Sequence, residues 1–326
     1  METSHRSKEY EAVHNEAQEK IKKILGIGDD FKVLFLQGGA SLQFVMVPMN
    51  YLDKDKRADY IITGYWSERA LKEAKRFGTI NIAATTEQDK KYTRIPKQSE
   101  LKLDPSAVYV HLTSNNTIFG TQWANFPTTG NIPLVADMSS DFLSKKFDPK
   151  PFGLMYAGAQ KNLGPAGVTV VVIRDDFLAK ANPDLPSVLT YHTHAKENSL
   201  YNTPPCFAVY VVYLFMEWVL DHGGLDGMEK RNQEKGGLLY GAIDKYPGYY
   251  TCPVDKDSRS LMNVVFRLPT EQLEDAFVKQ GKAAGFLGLK GHRSVGGIRV
   301  SMYNTIGPEV IKELVCFMED FAKKNG

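Results

Sequence analysis

Cysteine is scarce: Cys206, Cys252 and Cys316 stand far apart with no C-x-x-C spacing. This excludes a disulfide framework or a thiolate zinc site as the organising feature and fits a reducing, cytoplasmic setting. Charge of one sign is not in excess either. Forty basic residues against 38 acidic ones leave a formal charge of +2, so nothing electrostatic asks for nucleic acid or an anionic membrane as a partner. Long apolar runs are missing. The most apolar stretch, Cys206 to Leu220, falls short of the roughly 18 residues that cross a bilayer and contains Glu217, so it reads as a buried helix. The first residues are charged helix formers without a signal-peptide core. There is no internal repeat or low-complexity tract, and the 27 Gly and 16 Pro are spread along the chain.

What is present is the alternation of an α/β protein. Short apolar runs at Val33–Leu36, Tyr60–Ile62, Val108–Leu112, Leu134–Ala136 and Val168–Ile173 read as fully buried parallel strands. Helical patterns lie between them, as at Ser67–Phe77, where Ala70, Leu71, Ala74 and Phe77 recur at helical spacing. A length of 326 residues predicts two domains. The pattern changes at His222-Gly223-Gly224, which places a large domain at 1–222 and a smaller α/β unit at 223–326. The smaller unit is predicted to contain a helix over 227–245, a strand over 260–267, a helix over 271–284, a strand over 298–302 and a last helix over 308–324.

One lysine stands out. In Tyr156-Ala-Gly-Ala-Gln-Lys161-Asn-Leu-Gly-Pro-Ala-Gly167 small residues surround Lys161 just before an apolar strand. A lysine held in so weakly polar a turn is expected to have a lowered pKa and to become a nucleophile able to condense with an aldehyde, although most lysines are solvated surface groups. Upstream, Asp137 closes the strand in Val135-Ala-Asp-Met-Ser-Ser140, the strand end at which α/β sheets present ligand-binding residues. There it is suited to pair with a protonated ring nitrogen, although an Asp after a strand also serves as a helix N-cap. Gln37-Gly-Gly-Ala-Ser41 follows a strand and opens a helix, which aims backbone N–H groups at an anion. It is neither G-x-G-x-x-G nor G-x-x-x-x-G-K-[ST], and a tight turn without a ligand has the same local pattern. His5-Arg6 and His292-Arg293, with Arg299, are basic clusters able to grip carboxylate or phosphate, and they equally fit plain surface charge.

Together and in order, these segments resemble the class V aminotransferases, enzymes of the fold-type I pyridoxal-phosphate (PLP) architecture. The resemblance also rests on Ser4-His-Arg-Ser-Lys-Glu9, Gly64-Tyr-Trp66, Tyr201-Asn-Thr-Pro-Pro205 and Lys290-Gly-His-Arg-Ser-Val-Gly-Gly-Ile-Arg299, and it runs over essentially the whole chain. It implies a large domain with a mainly parallel sheet and PLP as cofactor. By it, Lys161 carries the cofactor, Asp137 pairs with the pyridine nitrogen and Trp66 stacks on the ring. Ala40, Ser41 and Gln160 hold the phosphate, with Thr117 close by. Asn202 and Thr203 reach the phosphate from a neighbouring subunit, which implies a homodimer with shared sites. His5, Arg6, His292, Arg293 and Arg299 hold the substrate's phosphate and carboxylate, Arg299 being favoured for the carboxylate. The branch of the class that carries these motifs moves an amino group between glutamate and 3-phosphohydroxypyruvate, on the route to serine.

Family members usually carry a further segment ahead of Ser-His-Arg, with an Asn-Phe-x-x-Gly-Pro motif. Here Met1 lies three residues before Ser4 and looks like an internal methionine of a longer parent. The fold is expected to survive. The alternatives are a shortened PLP-binding dimer with little turnover, or another class V transaminase. An alanine–glyoxylate transaminase leaves the paired His-Arg motifs unexplained, and a cysteine desulfurase lacks its catalytic-loop cysteine.

Overall fold

A computed structural model describes residues 4–325. The first helix, α1 (Lys8–Leu25), is opened by Ser7, whose hydroxyl accepts the Tyr10 amide at 3.3 Å, and it stops at Gly26, where φ is 65°. Strand β1 (Phe31–Leu36) then runs through the Gly38-Gly39 turn into α2 (Gly39–Tyr51). The chain continues as β2 (Arg57–Ile62), α3 (Tyr65–Ala74) and β3 (Thr79–Thr85), and a short hairpin follows, β4 (Glu87–Gln88) and β5 (Lys91–Tyr92). Next come β6 (Val110–Thr113), a second hairpin of β7 (Asn115–Asn116) and β8 (Thr121–Gln122), and then β9 (Leu134–Asp137), β10 (Phe152–Gly158) and β11 (Thr169–Arg174). Two short helices, α4 (Asp175–Leu178) and α5 (Tyr191–Lys196), lead to the apolar α6 (Cys206–Asp221). The rest is α7 (Gly224–Lys245), β12 (Asn263–Phe266), α8 (Glu271–Ala283), β13 (Ile298–Ser301) and α9 (Pro308–Asn325).

Seven strands form the main sheet in the order β1-β11-β10-β9-β6-β2-β3. β11 runs antiparallel to both of its neighbours, while the β10–β9, β9–β6, β6–β2 and β2–β3 pairs are parallel. The period-two alternation of strand side chains divides the sheet between two cores. Phe31, Val33 and Phe35 of β1, with Met155 and Ala157 of β10, pack under α1 and α6. Leu34 and Leu36, with Leu154 and Tyr156, pack under α2 and α3. A third core joins the end of α7, the antiparallel pair β12–β13, α8 and α9 through Leu239, Ile243, Phe266, Phe277 and Phe321. Among the described residues no single helix is long and apolar enough to cross a membrane.

The architecture is the expected α/β arrangement, with corrections of detail. Val33–Leu36 and Val168–Ile173 are buried strands but pair antiparallel, because β11 returns directly from β10 through the Lys161 turn instead of by a helical crossover and β1 joins the sheet only along β11. β3 and β10 escape the sequence reading. β10 (Phe152–Gly158) contains Gly153, Ala157 and Gly158, small residues that dilute the apolar signal of a strand buried throughout its length. The helix expected over 67–77 ends at Ala74, and the strand expected over 260–267 is confined to 263–266.

Candidate functional site

Parallel strands put their carboxyl ends on one edge of the sheet, and the chemistry gathers there. Thr113 of β6 and Tyr156 of β10 both pair in register with Asp137, the last residue of β9. Lys161 follows β10 in a turn closed by the Ala159 amide to the Val168 carbonyl (3.0 Å) and by the Gly164 amide to the Ala159 carbonyl (2.9 Å). Its Nζ lies 5.1 Å from the centre of the Trp66 ring. Trp66 is fixed in turn by a hydrogen bond from Nε1 to Thr117 Oγ1 at 3.3 Å. It sits at the start of α3, behind Gly64, where a Cβ would come within 2.5 Å of Asn116 Oδ1; only glycine allows that approach.

Asp137 is 5% exposed. Its Oδ1 accepts from the Ser139 amide at 3.0 Å and from the Ser139 hydroxyl at 2.6 Å, while Oδ2 takes no hydrogen bond from the described residues. No helix starts here, so the N-cap reading is set aside. Burial raises the carboxyl's pKa, against the hydrogen bonds from Ser139 and the charge of Lys161. Lys161 shifts the other way: burial lowers the ammonium pKa, Asp137 opposes this and Arg299 adds to it. Burial thus disfavours charge on both groups, and Asp137 keeps one oxygen without a hydrogen bond from the described residues.

The start of α2 lies at the same edge. Gly38 has φ 86° and supplies no side-chain cap, so the first-turn amides around Ala40 and Ser41 point off the helix end. Gln160 lies over Gly158, where a Cβ would meet its Oε1 at 2.8 Å. Asn202 Nδ2 donates to Gln37 Oε1 at 3.3 Å, and Gln37 Nε2 donates to the Thr203 carbonyl at 3.1 Å, so this loop rests on its own chain's Gln37–Ser41 turn.

The basic residues are only partly assembled within one chain. Arg299 of β13 donates through Nη1 to the Thr117 carbonyl at 3.3 Å, next to Trp66, and its buried Nε has no partner among the described residues. His292 and Arg299 share a cleft of about 110 Å³ with Lys91, Thr93 and Phe119. The His292 pKa is lowered by burial and then by Arg299 and Arg293, and its Nδ1 lies 2.7 Å from Ser294 Oγ. Arg293 is exposed. His5 and Arg6 stand ahead of α1, and no hydrogen bond or ion pair among the described residues joins them to the other three. Ser139 and Asn162 were not singled out from sequence, although they lie two residues past Asp137 and one past Lys161. Thr93 and Lys91 carry no local signal, since folding alone brings them to His292.

A turn that isolates one lysine beneath an indole, a buried carboxylate opposite it, and an uncapped helix start for an anion define a site of the aminotransferase type, and the chain belongs to that family: the Aminotransferase class-V family model matches residues 1–314. Within the class it belongs to the phosphoserine aminotransferases. It is 55% identical to the phosphoserine aminotransferase of Herpetosiphon aurantiacus over 326 residues, covering 100% of this chain and 90% of the relative. The solved phosphoserine aminotransferase of Bacillus circulans subsp. alkalophilus superposes with a TM-score of 0.97 at 52% identity, over 100% of this chain and 90% of that one. A PLP-bound phosphoserine aminotransferase from Trichomonas vaginalis superposes with a TM-score of 0.92 at 37% identity, over 98% of this chain and 90% of that one.

Proposed function

We propose that this chain is a PLP-dependent phosphoserine transaminase that moves an amino group between L-glutamate and 3-phosphohydroxypyruvate, giving O-phospho-L-serine and 2-oxoglutarate in serine biosynthesis. The observation that carries the reading is Lys161 held under Trp66 opposite the buried Asp137, on a chain 55% identical to a phosphoserine aminotransferase.

The residues present fit PLP. Asp137 Oδ2 is free to hold the proton on the pyridine nitrogen, the Trp66 ring offers a stacking face, and the α2 amides with Gln160 suit the phosphate. Bound there, PLP supplies an aldehyde that takes up the amino group and a protonated ring that acts as electron sink for the substrate's alpha carbon. The Lys161 amine, whose pKa burial lowers, is the group placed to accept the alpha proton and return it elsewhere. Trp66 and Thr117 exclude water from one face. Arg299 binds the substrate carboxylate with its two-pronged guanidinium, while His292 and Arg293 bind the far anionic end.

The reading extends to a homodimer. Helix α6 exposes Phe207 (52%), Tyr210 (41%) and Leu214 (41%) at helical spacing, an apolar stripe of the kind an interface buries. In the dimer Asn202 and Thr203, beside the base of this stripe, serve the partner's phosphate site, and His5 and Arg6 complete a substrate pocket across the interface. The division at 222/223 gives a C-terminal unit that carries Arg299, although Leu225 and Met228 at the start of α7 pack in the core of the main sheet. A cytoplasmic location suits the three free thiols.

The purified protein with PLP is expected to be yellow, and its absorption band should shift when glutamate is added. Assay with glutamate and 3-phosphohydroxypyruvate then separates a working enzyme from a binder. A protein that stays colourless in excess PLP contradicts the reading.

A further inference from the structure

Lys161 is followed by Asn162, which is 3% exposed and plays no part in the chemistry above. Its side chain is tied in two directions. Nδ2 donates to the Phe142 carbonyl at 2.8 Å and Oδ1 accepts the Asn304 amide at 2.9 Å. The Asn304 side chain donates to the Leu143 carbonyl at 2.9 Å and accepts from Asn232 Nδ2 at 2.8 Å, and Asn232 Nδ2 also reaches the Ser144 carbonyl at 2.8 Å. Three successive carbonyls are thus met by three buried asparagines, from the Lys161 turn, from the segment after β13 and from α7. Lys235 fastens the same segment, donating to the Met302 and Tyr303 carbonyls at 2.8 and 2.9 Å.

The arrangement is more than filling. Leu143, in the middle of the three carbonyls, is fully buried with φ 61°, a strained conformation that persists only where its surroundings over-determine it. The turn that contains it begins just past Asp137, with the Phe142 amide bonded to the Met138 carbonyl at 2.8 Å. Residues 302–304 continue directly from β13, which bears Arg299. Asn162 is therefore the junction at which the lysine turn, the aspartate turn and the arginine strand meet. Buried amides without partners are costly, so the bonds made by Asn162 and Asn304 sharply define the geometry of such a junction; Asn232 Oδ1 alone of the three side chains' oxygens has no partner among the described residues.

We propose that Asn162 is a positioning residue: through Asn304 and carbonyls 142–144 it sets where the Lys161 amine stands relative to Asp137 and Arg299. This rests on Lys161 being the cofactor-bearing lysine. A tether of this kind keeps the amine within the field of Asp137 and, less strongly, of Asp141 in the same turn, which favour its protonated form against burial and Arg299.

The test uses the PLP-loaded enzyme. In Asn162→Ala the pH midpoint of the Lys161-bound chromophore should fall by about one unit, and kcat should drop about 10- to 100-fold with the KM for glutamate changed less than about threefold. Asn304→Ala spares its own amide bond to Asn162 but cuts the links to Leu143 and Asn232. It should shift the midpoint the same way by a smaller amount, and it decides the matter if Asn162→Ala does not fold. Wild-type midpoints in the folded variants, even with lowered melting temperatures, overturn the proposal and leave Asn162 a packing residue. Borohydride reduction of the wild type followed by peptide mapping checks the premise: an unmodified Lys161 overturns the cofactor reading and this proposal with it.

Discussion

Two opposite pKa shifts with one cause, burial, make the Lys161–Asp137 pair useful. Dehydration disfavours charge on both groups, while each favours charge on the other. Lys161→Ala should keep the fold, since the turn is closed by backbone hydrogen bonds, and lower turnover by about a thousandfold or more; far-ultraviolet circular dichroism and the glutamate assay check both halves. Retained activity rules out the role given to Lys161. Elsewhere in the sheet, burial holds His111 neutral, with its pKa lowered to about 3. Its Nε2 is 2.8 Å from the Tyr156 phenol oxygen, and its buried Nδ1 has no hydrogen-bond partner among the described residues. Because the unfolded chain takes up this proton near the ordinary value of about 6.5 and the native chain does not, stability is lost as pH falls from there toward 3. Denaturant unfolding of His111→Gln across this window should show a shallower pH dependence than the wild type; identical slopes rule out this assignment.

At the scale of elements, the start of α2 shows how backbone geometry makes a binding feature. Gly38 has φ 86°, and a Cβ there would lie 2.5 Å from that of Leu42. Gly38→Ala therefore combines a left-handed backbone penalty of roughly 1–2 kcal/mol with a displaced first turn. Equilibrium dialysis should find PLP held at least about tenfold more weakly, with a lower melting temperature. Unchanged PLP affinity separates the α2 amides from the phosphate. The signal for this turn was plain in Gln37-Gly-Gly-Ala-Ser41, because glycine pairs between a strand and a helix have a narrow range of uses. β10 was not legible for a related reason: its small residues, required for the close approach of Gln160 to Gly158 and of Phe177 to Gly153, are the residues that erase a strand pattern.

For the whole molecule, the exposed stripe on α6 predicts that two copies meet there. Replacing both Phe207 and Tyr210 by Glu should give monomers in sedimentation at micromolar concentration, since two charges in an apolar interface cost several kcal/mol. PLP retention should fall with the dimer if Asn202 and Thr203 act across it. Monomers that keep full PLP affinity detach these residues from the phosphate site, and a wild-type-like dimer moves the interface elsewhere.

The lysine turn, the strand-end aspartate, the glycine-pair turn and the α/β alternation were all determined by the sequence itself, because each depends on neighbours a few residues away, where composition and spacing speak directly. Only the tertiary structure decided that Arg299 reaches Thr117, 182 residues away, that His292 shares a cleft with Lys91, and that Asn304 meets Asn162 across 142 positions. Such contacts join the C-terminal unit to the edge of the main sheet, and they leave no local trace because their partners are selected by how the layers pack.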